Sequence, residues 1–97
     1  MREHLMHGIA KTMMDGVRDA NMQYDYAVEA KEHGDTELAM AHIEEAKHRL
    51  SGAKVWHERR KKLMGEHSDP FVKAMENEWC DWWKSVDAKV SAFRIDS

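Results

Sequence analysis

Glu45 and His48 stand three residues apart within Glu44–Glu45–Ala46–Lys47–His48, a run of strong helix formers. At that spacing the two side chains share one face of a helix. A carboxylate oxygen and an imidazole nitrogen suit iron, manganese or zinc. Helical bundles that hold two metal ions use this Glu-x-x-His spacing with a carboxylate from a facing helix. His4 and His7 form a second pair one turn apart, able to take zinc, copper or nickel with outside ligands. They lie near the N-terminus, where solvated side chains are the expectation.

Two other clusters invite a chemical reading. Arg59, Arg60, Lys61 and Lys62 follow Trp56 closely, the basic and aromatic mixture that nucleic-acid sites use. A helix C-terminus favours cations in any case, and the net charge of −3 supplies no attractive field, so nucleic acid is not the expected partner. Trp79–Cys80–Asp81–Trp82–Trp83 is the sharper oddity. Trp79, Trp82 and Val86 fall on one helical face, and Trp83 is rotated from Trp82. Tryptophan is enriched where interfaces are strongest, so Trp79, Trp82 and Trp83 are the interface candidates, with Trp83 directed at another subunit or protein partner. Cys80 is the single cysteine, which excludes an internal disulfide and fits a reducing, cytoplasmic location. Asp81 sits beside it and no cation or base is close in sequence, so catalytic thiol chemistry is not expected. Nucleophilic triads, phosphate-cradling glycine loops and cysteine metal clusters are absent from the sequence.

The elements that must position these residues are legible from their punctuation. A first helix is expected over about 3–33, with Met6, Ile9 or Ala10, Met13, Val17, Ala20, Tyr24 and Ala27 or Val28 forming its apolar stripe. Gly34 ends it, and Asp35 caps a second helix over about 36–64, with Glu37 in its first turn. The second stripe is Ala39, Ile43, Ala46, Leu50 and Ala53, continuing towards Trp56 and Leu63, with His57 on it as a boundary histidine. Gly65 after the Arg59–Lys62 run is a stop signal, and Asp69–Pro70 starts a third helix over about 70–94. Its expected inward residues are Phe71, Val72, Met75, Trp79, Trp82, Val86, Val90 and Phe93.

The 97 residues suit one all-α domain, 1–97, large enough for a modest core. With 34 % charged and 42 % hydrophobic residues mixed along the chain and one proline, a soluble helical protein is expected. No apolar run is long enough to span a membrane, and Met1–Arg2–Glu3–His4 lacks the pattern of a signal peptide. A thirty-residue helix spans about 45 Å. Long, thin hairpins of this kind usually close a bundle of four or more helices with a second copy. A homodimer or higher oligomer is therefore expected.

The corner also sets the levels of the two arms, where facing residue numbers add to about 69. Gly16 should fall opposite Ala53 and Gly52 opposite Val17, two glycines able to let backbones approach closely. Glu44, Glu45 and His48 should face Asp25, Tyr24 and Asn21. Asp25 is the nearest carboxylate to complete a metal site, with Asn21 and Tyr24 as supporting polar groups.

The segments Tyr24–Ala39 and Glu44–His48 resemble the hairpin of ferritin-like proteins, closest to the rubrerythrin group. The resemblance covers about a quarter of the chain. It implies a four-helix bundle built by dimerisation and, in one reading, a divalent metal (Fe, Mn or Zn) held by Glu45, His48 and Asp25 for an oxidase or storage role. The level at which that family carries a first-helix glutamate holds Asn21, Met22 and Gln23 here. The leading expectation is therefore a small non-enzymatic bundle that acts through homo-oligomerisation and protein interaction, with no cofactor.

Overall fold

A computed structural model describes residues 2–64 and 69–95, with side chains described over 8–63 and 69–95. It is all-helical: α1 (Arg2–Glu32), α2 (Thr36–Met64) and α3 (Pro70–Ala92). The His4–His7 pair lies outside the described side chains, and the stop signal at Gly65 lies outside the described residues.

The corner forms as its residues dictate. Gly34 adopts φ 80°, a left-handed conformation in which a side chain would be strained. That turn lets the Asp35 N–H donate to the Ala30 carbonyl at 2.9 Å and the Gly34 N–H to the Lys31 carbonyl at 3.0 Å, satisfying the last carbonyls of α1. Asp35 then accepts from the Leu38 N–H at 3.1 Å and so caps α2. Asp69 does the same for α3, accepting from the Phe71 N–H at 2.9 Å with Pro70 in the first turn. At its far end α3 stops at Ala92, and Phe93 is already extended.

The buried residues of α2 are Ala39, Ile43, Ala46, Leu50, Ala53 and His57. They alternate steps of four and three, the spacing that packs long helices nearly antiparallel in a coiled-coil manner. Of these, Ile43, Ala46, Leu50 and Ala53 share one core with Ile9, Met13, Val17, Ala20 and Ala27 of α1. A close approach falls where expected: a Cβ added to Gly16 would stand 2.9 Å from Ala53 Cβ and 3.3 Å from the Arg49 carbonyl oxygen. Gly52 differs from expectation, because a Cβ there meets nothing within 4 Å. It is exposed on the outer side of α2 rather than packed against Val17. Leu63, expected to continue the stripe, is also exposed, and His57 takes the seam position instead.

α3 lies along the hairpin, antiparallel to α2 and parallel to α1. Arg60 meets Glu76 near one end, and Tyr24 meets Phe93 near the other. Its rotation differs from the expected one. Phe71, Met75 and Trp82 are exposed. The inward set is Val72, Glu76, Trp79, Trp83, Val86 and Val90, buried or half-buried, again in alternating steps of four and three. Two contacts explain the choice. Trp83 Nε1–H reaches the Leu50 carbonyl at 2.9 Å, and Arg60 neutralises Glu76 on the seam at 3.0 Å. Among the described residues no helix is long and apolar enough to cross a membrane.

Candidate functional site

The hairpin brings the expected metal-binding residues to one end of the molecule but does not assemble them. Glu45 is engaged by Arg49 one turn on, at 2.8 Å. Asp25 and His48 are exposed. His48 lines a shallow polar groove with Thr12, Asp15, Asp19 and Arg49, which Asp25 does not line. Among the described residues no group of three His, Cys, Asp or Glu side chains is placed to hold a metal ion. Tyr24 turns towards α3, edge-on to Phe93 with ring centroids 6.2 Å apart and with Lys89 Nζ 4.7 Å from its own centroid. Asn21 is half-buried. The imidazole that does cross from α2 to α1 is His42, whose Nδ1 lies 2.6 Å from Gln23 Oε1 and whose ring leans on Tyr26.

The basic patch is divided by packing. Arg60 is turned inward against Glu76, largely shielded from solvent, and its Nε is buried without a hydrogen-bond partner. Arg59 lies over the Trp56 ring at 4.8 Å. Lys61 and Lys62 are the members left exposed without such a contact. Four consecutive cations in sequence therefore do not make four cations on one surface.

The tryptophans separate into two classes. Trp79 is buried, and its indole N–H donates to the Met13 carbonyl at 3.1 Å. Trp83 is half-buried, with its N–H on the Leu50 carbonyl and Lys54 Nζ 4.9 Å above its ring. Both indoles thus tie α3 to a different arm of the hairpin, each using a helix carbonyl's second lone pair. Trp82 is not committed in this way and is 37 % exposed. It borders a groove of about 330 Å³ between α1 and α3, with Ala10, Met13 and Met14 on one side and Met75 and Trp79 on the other. Met14 and Met75 are each more than half exposed. Phe71, one turn before Met75, extends the same apolar stripe along α3.

One chemically distinctive pair escaped the reading of Cys80 by its neighbours in sequence. His57 of α2 and Cys80 of α3 are brought together, Nε2 to Sγ 4.0 Å. His57 is 5 % exposed and stacks on Trp79, with ring centroids 4.7 Å apart at an interplanar angle of 26°. Its Nδ1 lies 3.9 Å from a Glu58 carboxylate oxygen. Burial, with the positive charge of Lys61 next, holds its pKa below the ordinary value, and the opposing pull of Glu76 and Glu58 is weaker. The ring is thus the neutral imidazole at neutral pH. The signal in the sequence was the seam position of His57, which pointed at α3 without saying which residue it would meet.

Protein-family models, curated proteins and solved structures contain no significant match to this chain.

Proposed function

We propose that this chain is a non-enzymatic helical-bundle protein that works by self-association, two copies pairing through the open α1/α3 groove and the outer stripe of α3. The observation that carries the reading is that stripe. Phe71, Met75 and Trp82 share positions of a helix face spaced by four and seven residues, parallel to the seam that α3 already uses. A helix with two apolar seams, one of them filled, is built for a neighbour on the other.

Surface area supports a partner. A compact monomer of 11.3 kDa exposes about 5,700 Å². This chain exposes 6899 Å², an excess of about 1,200 Å². A standard interface takes about 800 Å² from each partner. The radius of gyration, 15.6 Å, also exceeds the value of about 12.5 Å for a compact domain of this length. A second copy fits the lining, because Arg60 is already paired with Glu76 and, apart from Glu78, the rest of the groove is apolar, so two copies can meet mainly through apolar side chains.

Sedimentation velocity of the wild type and of Trp82→Ser tests this. The wild type should sediment as a dimer at tens of micromolar, and the variant should shift at least tenfold towards monomer while keeping its helical circular dichroism. A wild type that stays monomeric at that concentration, or a variant that dimerises equally well, refutes the proposal.

A further inference from the structure

We propose that His57 and Cys80 form a two-donor site for a soft monovalent metal cation of the Cu(I) class. Nε2 and Sγ stand 4.0 Å apart across the α2/α3 seam. With metal–nitrogen and metal–sulfur bonds of about 2.0 and 2.3 Å, a tetrahedral ion would draw these donors to about 3.5 Å. At 4.0 Å the same bonds open the angle at the metal to about 135°. A wide angle belongs to an ion satisfied by few ligands. No third His, Cys, Asp or Glu among the described residues joins the pair, which leaves zinc, with its demand for four donors, poorly served. Thiolate and imidazole both suit zinc and copper, so it is the number of donors that decides, and the soft monovalent ion is the one that two donors can satisfy.

The imidazole is already aimed. Stacking on Trp79 holds the ring plane with Nε2 towards Sγ, and Glu58 lies on the Nδ1 side at 3.9 Å. Among the described residues Nε2 has no partner other than Cys80. Charge accounting points the same way. On binding, the thiol releases its proton to solvent, sulfur forms the bond to the metal, and Nε2 donates its lone pair. The monovalent cation replaces the proton, so the seam gains no net charge. A divalent ion would leave a positive charge beside a ring that is 5 % exposed, at a high desolvation cost. No electron is transferred at any point.

The test is titration of the full chain, without oxygen, against Cu(I) held as its coloured bicinchoninate complex. One equivalent of protein should remove one equivalent of metal. Cys80→Ser should bind at least a hundredfold more weakly, and His57→Gln at least tenfold more weakly. X-ray absorption of the loaded wild type should give one sulfur and one nitrogen at two-coordinate copper. Retention of wild-type affinity by Cys80→Ser, or a spectrum with four donors or no sulfur, overturns the site. If His57→Gln fails to fold by circular dichroism, the imidazole nitrogen resonances of the wild type decide. His57 Nε2 should shift with one equivalent of Cu(I), and an unmoved resonance refutes its role as a ligand.

Discussion

Gly16 and Ala53 mark a close approach of α1 and α2, where a Cβ on the glycine would stand 2.9 Å from the alanine's own Cβ. The neighbour cannot yield by changing rotamer, since a Cβ moves only with its backbone. Gly16→Ala therefore trades a gain in helix propensity of about 1 kcal/mol against forced separation of the hairpin, which costs about 1–3 kcal/mol. A net loss is expected. Gly52→Ala gains the same propensity and meets nothing within 4 Å, so it should stabilise by up to about 1 kcal/mol. Thermal denaturation separates the two: the variants should melt on opposite sides of the wild type, by several degrees each for a domain of this size. Equal shifts of one sign would show that the close approach is not maintained in solution.

Trp83 ties α3 to α2 through its N–H on the Leu50 carbonyl at 2.9 Å. Trp83→Phe keeps a large ring and removes that donor, with an expected loss of about 0.5–1.5 kcal/mol plus a smaller packing term. Trp82→Phe, at the exposed position one residue earlier, should change the stability of the folded monomer by less than about 0.5 kcal/mol. Urea denaturation at a protein concentration low enough to exclude dimers gives the comparison. A larger effect at Trp82 than at Trp83 would mean that α3 is rotated from the orientation described.

Those two residues also show what a sequence can and cannot display. Helix ends were readable because each rests on local chemistry: Gly34 with its left-handed turn, Asp35 and Asp69 as caps, and Pro70 in a first turn. The pairing of Gly16 with Ala53 followed from the corner by geometry alone. The rotation of α3 was not readable. Phe71, Met75, Trp82 and Val72, Glu76, Trp83 are both helix-periodic, and the first set is the more apolar. The second faces inward because Arg60, on another helix, makes Glu76 tolerable there and because an indole N–H finds a carbonyl. The same limit hid His57 and Cys80. They lie on separate helices, and only the docking of α3 decides that a seam histidine meets the chain's one cysteine. Glu45 and His48 have the spacing for one helical face, but Arg49 occupies Glu45, and among the described residues no group of three donors gathers around them.

Arg60 and Glu76 form an ion pair that is mostly shielded, at 17 % and 24 % side-chain exposure, and Arg60 Nε lacks a hydrogen-bond partner. Removing one member leaves the other poorly solvated, so Glu76→Leu alone should cost about 1–3 kcal/mol, below the cost for a fully buried pair. Arg60→Met combined with Glu76→Leu replaces both charges by apolar groups and relieves the unpaired Nε. That double variant should be within about 1 kcal/mol of the wild type or more stable. Denaturant unfolding of the two singles and the double closes the cycle. A double variant as unstable as the sum of the singles would mean that the pair contributes through packing and not through charge.

His57 makes stability depend on pH in a direction that burial dictates. Its pKa in the folded chain is lowered, chiefly by desolvation and then by Lys61, while the unfolded chain keeps an ordinary histidine value near 6.5. Above that value both states hold a neutral ring and His57 contributes no pH dependence. As pH falls below it, the unfolded state takes up a proton that the folded state refuses, so unfolding is favoured. The loss continues until pH passes the lowered folded value, and one proton sets its slope at no more than about 1.4 kcal/mol per pH unit. Lys61 and Arg60 on α2 add to it, and Glu58 and Glu76 oppose it. Melting temperature of the metal-free protein should therefore fall between about pH 7 and pH 5. His57→Gln should flatten that fall, because its amide does not titrate. An identical slope in the variant would assign the pH dependence to the exposed histidines or the carboxylates and would place His57 in contact with water.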